Sequence, residues 1–250
     1  MRKYLIGVLA LVVAASVVAS VQAHTGNQTI DVKTTKTKFP KTTRKGTGLK
    51  VDVVTAEEDS DGAGSAGGPD VPAHANKTTL FFSKNIAFNT SLVPKCTANL
   101  EGTTTAQAKA ACPAASQVSI DGPDSSAQVK IDGDGLDNNS NTVLNAVVTA
   151  FNGPANNQIT LHARVDAIST TTILIGKLST ITDPNFGSKL DVPVPALAGG
   201  AAISDFRTLV KSGRYVSSNC KATTMKYKAV STYTDHAAST ATDSHPCTRG

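Results

Sequence analysis

The chain has 250 residues, with 24 Lys and Arg against 19 Asp and Glu, a formal charge of +5. Aromatic residues make up 4% and tryptophan is absent. So small a charge excess argues against a nucleic-acid binder, and so few rings argue against a strong sugar-binding face.

Residues 1–23 read as a cleaved secretory signal. Met1-Arg2-Lys3 gives a positive start, Leu5 to Ala19 is almost unbroken apolar sequence, and Val21-Gln22-Ala23 places small residues where a signal peptidase reads. The segment is too short and wrongly flanked for a membrane span. Removing it takes away Arg2 and Lys3, lowers the charge to +3 and leaves 227 residues starting at His24. No second long apolar run and no cysteine near the cut follow, so no membrane span or lipid anchor is expected. The expected location is outside the cell or loosely on its envelope.

Residues 24–48 read as a flexible or edge-strand arm. Lys33, Lys36, Lys38, Lys41, Arg44 and Lys45 stand among threonines. They could hold an anionic cell-wall polymer by charge, or they could guard an exposed sheet edge against pairing, and the second reading is preferred. Residues 49–250 read as one domain. Strands are expected at Leu49–Thr55, Thr78–Ser83, Gln117–Asp121, Ala127–Asp132, Thr142–Phe151, Gln158–Val165, Thr171–Ile181, Ala202–Val210 and Thr224–Thr234, where threonine and valine abound and apolar residues alternate with polar ones. In Thr224–Thr234 the alternation puts Met225, Tyr227, Ala229 and Tyr233 on one face. In Gln158–Val165 it puts Ile159, Leu161, Ala163 and Val165 inward and Thr160, His162 and Arg164 outward. Between two strands, residues 152–157 (NGPANN) read as a hairpin connection. Glu57 to Asn76 reads as a long Gly/Ala/Asp-rich loop with a solvated acidic start. One short helix is expected at Thr104–Ala111, between Cys96 and Cys112. The fold class is therefore all-β, an antiparallel sandwich, with jelly-roll and immunoglobulin-like arrangements both open.

Four cysteines in an exported chain suggest disulfides, and of the three possible connectivities the sequence-local pairs Cys96–Cys112 and Cys220–Cys247 are favoured. A metal reading of these cysteines lacks clustered ligands.

From Thr78 to Val118, TTLFFSKNIAFNTSLVPKC followed by ACPAASQV resembles a pattern in a group of secreted actinobacterial proteins of unknown function. There a proline precedes one cysteine and a Cys-Pro-x-x-Ser element opens the next strand, here Pro94, Cys96, Cys112, Pro113 and Ser116. The likeness continues through VVTAFNGPANNQITLHARV, YVSSNC and TTMKYKAVSTYTD. It implies a two-disulfide β-sandwich outside the cell and carries no activity with it. The chain departs from that pattern at IDGDGLDNNSN, from Ile131, where the group has a Gly-x-Gly turn.

That departure holds the best candidate metal site. Asp132, Asp134, Asp137 and Asn139 could present oxygen ligands to calcium, but Leu136 interrupts the ligand pattern and no glutamate follows, so a polar turn is preferred. Catalysis finds little support: no G-x-S-x-G elbow is present and no facing carboxylate pair stands out. His162 reads as a lone surface histidine. His236, Asp243 and His245 form a loose metal-like group beside Cys247, which a disulfide would withdraw. The sequons at Asn27, Asn76 and Asn89 matter only in a glycosylating host. The leading expectation is a non-enzymatic exported protein with a structural or binding role, its partner an anionic wall polymer or another surface protein, with no cofactor required. A secreted hydrolase and a calcium-dependent adhesion module are the alternatives.

Overall fold

In β4 (Leu49–Thr55) Leu49, Val51 and Val53 are buried while Lys50 and Asp52 stay partly exposed, the period-2 pattern of a strand with one dry face. The computed structural model describes residues 28–55, 74–131, 142–197, 201–234 and 237–250. Besides β4, its long strands are β1 (Gln28–Thr34), β5 (Ala75–Ser83), β7 (Ser126–Ile131), β8 (Thr142–Asn152), β9 (Gln158–Val165), β10 (Thr170–Thr180), β11 (Phe186–Pro193), β12 (Ala202–Val210), β14 (Thr224–Tyr233) and β15 (Ser239–Pro246). Short strands are β2 (Lys38–Phe39), β3 (Lys45–Gly46), β6 (Ile86–Phe88), β13 (Val216–Ser218) and β16 (Thr248–Arg249), and the one α-helix among the described residues is α1 (Thr105–Ala111).

The fold is all-β. Eleven strands form one antiparallel sheet in the order β1-β4-β12-β7-β8-β9-β10-β11-β5-β14-β15, rolled so that its halves face each other across a shared core. Leu161 on β9 pairs with Leu174 on β10, and Leu190 on β11 pairs with Leu80 on β5, so a continuous apolar lining runs around the inside. Fully burying each such side chain stabilises the fold by about 1.5–3 kcal/mol.

An odd number of alternating strands leaves the two end strands pointing the same way. β1 and β15 meet as a parallel pair and form no backbone ladder with each other. Side chains close the seam instead. Asp243 Oδ2 accepts the Val32 N–H at 2.9 Å, and Ser239 Oγ of β15 donates to Gln28 Oε1 of β1 at 3.4 Å.

The small sheet β3-β13-β6 packs at one end of the rolled sheet, where Tyr215, Val216 and Ile86 join the main core. Gly46 is required there, because a Cβ on it would sit 2.1 Å from the Gly213 carbonyl oxygen. Disulfide Cys220–Cys247 ties β13 to the C-terminal strands, and β16 runs parallel to β2.

Disulfide Cys96–Cys112 closes a loop that carries α1, whose Thr104 cap and Gln107 make a capping box. Leu100 and Ala108 from this loop pack with the disulfide on Phe151 of β8, on the outer side of the sheet. The reading of His162 as a surface histidine is thereby corrected, although it does lie on the outward face of β9. The residue is fully buried because a loop some 60 positions earlier covers the outer face of β8–β10. A second expectation also fails: Gln117–Asp121 is no strand, making only the single bridges Gln117 to Phe151 and Ser119 to Val210.

Candidate functional site

The inward faces of the strands do not fill the space they enclose. A cavity of about 110 Å³ runs inside the rolled sheet. On β4 alone its wall extends from Leu49 through Val51 and Val53 to Thr55, roughly 20 Å of strand. A volume that small spread over that length makes a slender channel. For scale, an apolar protein cavity of about 150 Å³ stays dry and admits benzene.

The two ends differ. Leu49, Phe82, Val118 and Val210 close one end and are all buried. Gln28, Thr55, His74, Thr78 and Val194 line the other and are only half-buried, so the channel opens there. This mouth is polar. Ser231 Oγ accepts from Gln28 and lies 2.9 Å from Thr78 Oγ1, linking β1, β14 and β5 in one hydrogen-bonded row. A bulge between Ile203 and Asp205 shifts the phase of β12, so that Ile203 joins Phe206 and Thr208 on the cavity wall.

Among the described residues, His74 is the one titratable group on this wall. The described residues of the wall offer an imidazole, several hydroxyls and an amide, and among them no carboxylate or thiol. Such a lining suits holding an apolar chain by contact and anchoring a polar end at the mouth.

His162 lies on the opposite side of the same sheet and does not reach this space. Its Nε2 is 3.1 Å from both the carbonyl and the hydroxyl oxygen of Thr103. A carbonyl only accepts, so Nε2 carries the proton and Nδ1 is a bare acceptor, buried without a partner. Burial lowers the His162 pKa, and Arg164 adds to the effect. Thr149, directly across on β8, also buries a hydroxyl without a partner.

The basic residues singled out from the sequence are spread over separate sheets. Lys33 on β1 pairs with Asp31 at 2.5 Å, and that hydrogen bond raises its pKa. Lys36, Lys38, Lys41 and Lys45 are exposed, Lys38 lying on β2 and Lys45 on β3. Arg44 is used structurally: its guanidinium donates to the carbonyls of Lys84 at 2.9 Å and Asn85 at 2.6 Å, and burial lowers its pKa. Asp132, Asp134, Asp137 and Asn139 lie outside the described residues, as do Glu57, Glu58 and His236. Cys247 is bonded to Cys220, which removes it from the metal-like group at the C-terminus. Asp243 and His245 of that group do meet, together with Asp31 from the far end of the chain.

The cavity itself had no local signature in the sequence. Its walls come from many strands, each contributing at most three ordinary apolar residues. Comparison of the chain with protein-family models, with curated proteins and with solved structures finds no match. Among the described residues, no helix is long and apolar enough to cross a membrane.

Proposed function

We propose that the protein is an exported, non-enzymatic binding protein that takes the aliphatic chain of a lipid-like molecule into its rolled sheet. The observation that carries this reading is the slender apolar channel with one buried end and one polar mouth. A short unbranched chain of about six carbons or fewer matches this volume, and a hydroxyl, amide or carboxyl end would find donors and acceptors in Gln28, Thr55, His74 and Thr78. Two disulfides fit an oxidising compartment. Together with the signal-like first 23 residues and the resemblance to secreted proteins, they support a place outside the cell or at its envelope.

Methyl NMR with hexanoic acid, whose chain matches the cavity volume, tests the proposal. Leu161, Leu174 and Val192 line the channel, whereas Val147 lies exposed on the outer face of β8. Saturable shifts at the three inner residues, with Val147 unmoved, are expected. Shifts confined to outer residues, or none at millimolar acid, would contradict it.

A further inference from the structure

Among the described residues, one group of three metal-ligating side chains converges. Asp31 on β1 and Asp243 and His245 on β15 place one ligand atom each within 4.8 Å of the others. The i, i+2 spacing of Asp243 and His245 puts both on one face of β15, and the seam brings Asp31 to them. His245 Nε2 is 2.8 Å from Asp243 Oδ2 and 3.6 Å from Asp31 Oδ1. In a tetrahedral zinc site with bonds of about 2.0 Å, ligand atoms stand roughly 3.3 Å apart, so small rotations suffice.

Both carboxylates are already oriented by an outer partner. Asp243 Oδ2 is held by the Val32 N–H, and Asp31 Oδ2 is held by Lys33 Nζ, which leaves Asp31 Oδ1 facing the imidazole. Outer hydrogen bonds of this kind fix ligands in metal sites. The three side chains are half-buried, so water can complete the coordination.

We infer that Asp31, Asp243 and His245 form a zinc site that fastens the ladder-free seam between β1 and β15. One imidazole and two carboxylates suit zinc, whereas calcium asks for six to eight oxygens that this place does not supply. The trio does not line the apolar channel, so the inference stands independently of ligand binding there.

The test is calorimetry with zinc chloride on the disulfide-intact protein, paired with the visible spectrum of cobalt(II) in the same site. One zinc per chain is expected, with a melting temperature raised by about 5–10 °C at a hundredfold excess over Kd and no rise with calcium. His245→Ala should weaken zinc by at least about a hundredfold and abolish the cobalt bands. Asp31→Asn, at a more exposed position, should do the same and keeps the test decisive if the first variant misfolds. Absence of stoichiometric zinc binding, or zinc and cobalt binding unchanged in Asp31→Asn, would overturn the inference.

Discussion

Asp243 on β15 accepts the backbone N–H of Val32 on β1 at 2.9 Å, and so joins the first and last strands of the rolled sheet. A side chain does here what a ladder does between every other neighbouring pair. The cause is the odd strand number, which sets β1 and β15 parallel.

If that bond closes the seam, Asp243→Ala leaves a buried N–H unpaired and removes a partner of His245. The variant should lose about 1–3 kcal/mol in urea unfolding. Hydrogen exchange at the Val32 amide should quicken more than at Val51 on the neighbouring strand.

The buried imidazole predicts a pH dependence. Burial depresses the His162 pKa in the folded protein, so the unfolded chain binds its proton first as pH falls. Stability contributed by neutral His162 is therefore complete above the unfolded value, about 6.5, and is lost downward from there towards the folded pKa. Through this residue stability should rise with pH across that window, a slope read by urea unfolding at each pH. His162→Gln should flatten it, whatever the variant's overall stability.

The disulfide over His162 should matter to the same measurement. Replacing Cys96 and Cys112 by serine should cost about 3 kcal/mol, from a loop closed at a sequence separation of 16. Loosening the cover on Phe151 and His162 should also move the histidine's titration, followed by NMR, back towards 6.5. A loss of stability with an unmoved titration would mean that the loop stays docked without its staple.

On the outer face of β11, Asp191 gathers Lys77, Lys189 and Thr79. Burial alone would raise its pKa, but hydrogen bonds from Lys189, Lys77 and Thr79 outweigh that and hold it at about 2. A depressed carboxylate stabilises above its unfolded pKa and loses that contribution as pH falls through the folded value. Asp191→Asn should therefore cost about 2 kcal/mol at pH 7 and little at pH 2, measured by urea unfolding at each pH.

Much of the sheet was legible because period-2 alternation is a local property. β4, β9 and β12 span the same residues in the sequence reading and in the structure. β11 escaped because Gly187 and a bulge between Phe186 and Ser188 break its alternation. β15 escaped because only Ser239 and Ala241 of its eight residues are buried. Gln117–Asp121 alternates well, yet it crosses between β8 and β12 instead of pairing along either. Long-range packing accounts for the rest. His162 faces outward as its strand dictates, and a distant disulfide loop then buries it. Asp243 and His245 are visible together in the sequence, but Asp31 joins them only when the sheet rolls up.

The most direct test of the channel is a calorimetric titration with hexanoic acid, a short straight-chain acid, on the wild type and on Val192→Phe. Val192 lines the channel, and Leu190 Cδ1 already fills the space over neighbouring Gly176, 2.8 Å from where a Cβ would sit, so the larger ring projects into the bore. Ile175→Ser, on the exposed outer face of β10, is the control. The channel account predicts saturable one-to-one binding to the wild type and to Ile175→Ser, and at least a tenfold loss in Val192→Phe with the fold intact by circular dichroism. Equal binding by the wild type and Val192→Phe, or no saturable binding by the wild type, would contradict it.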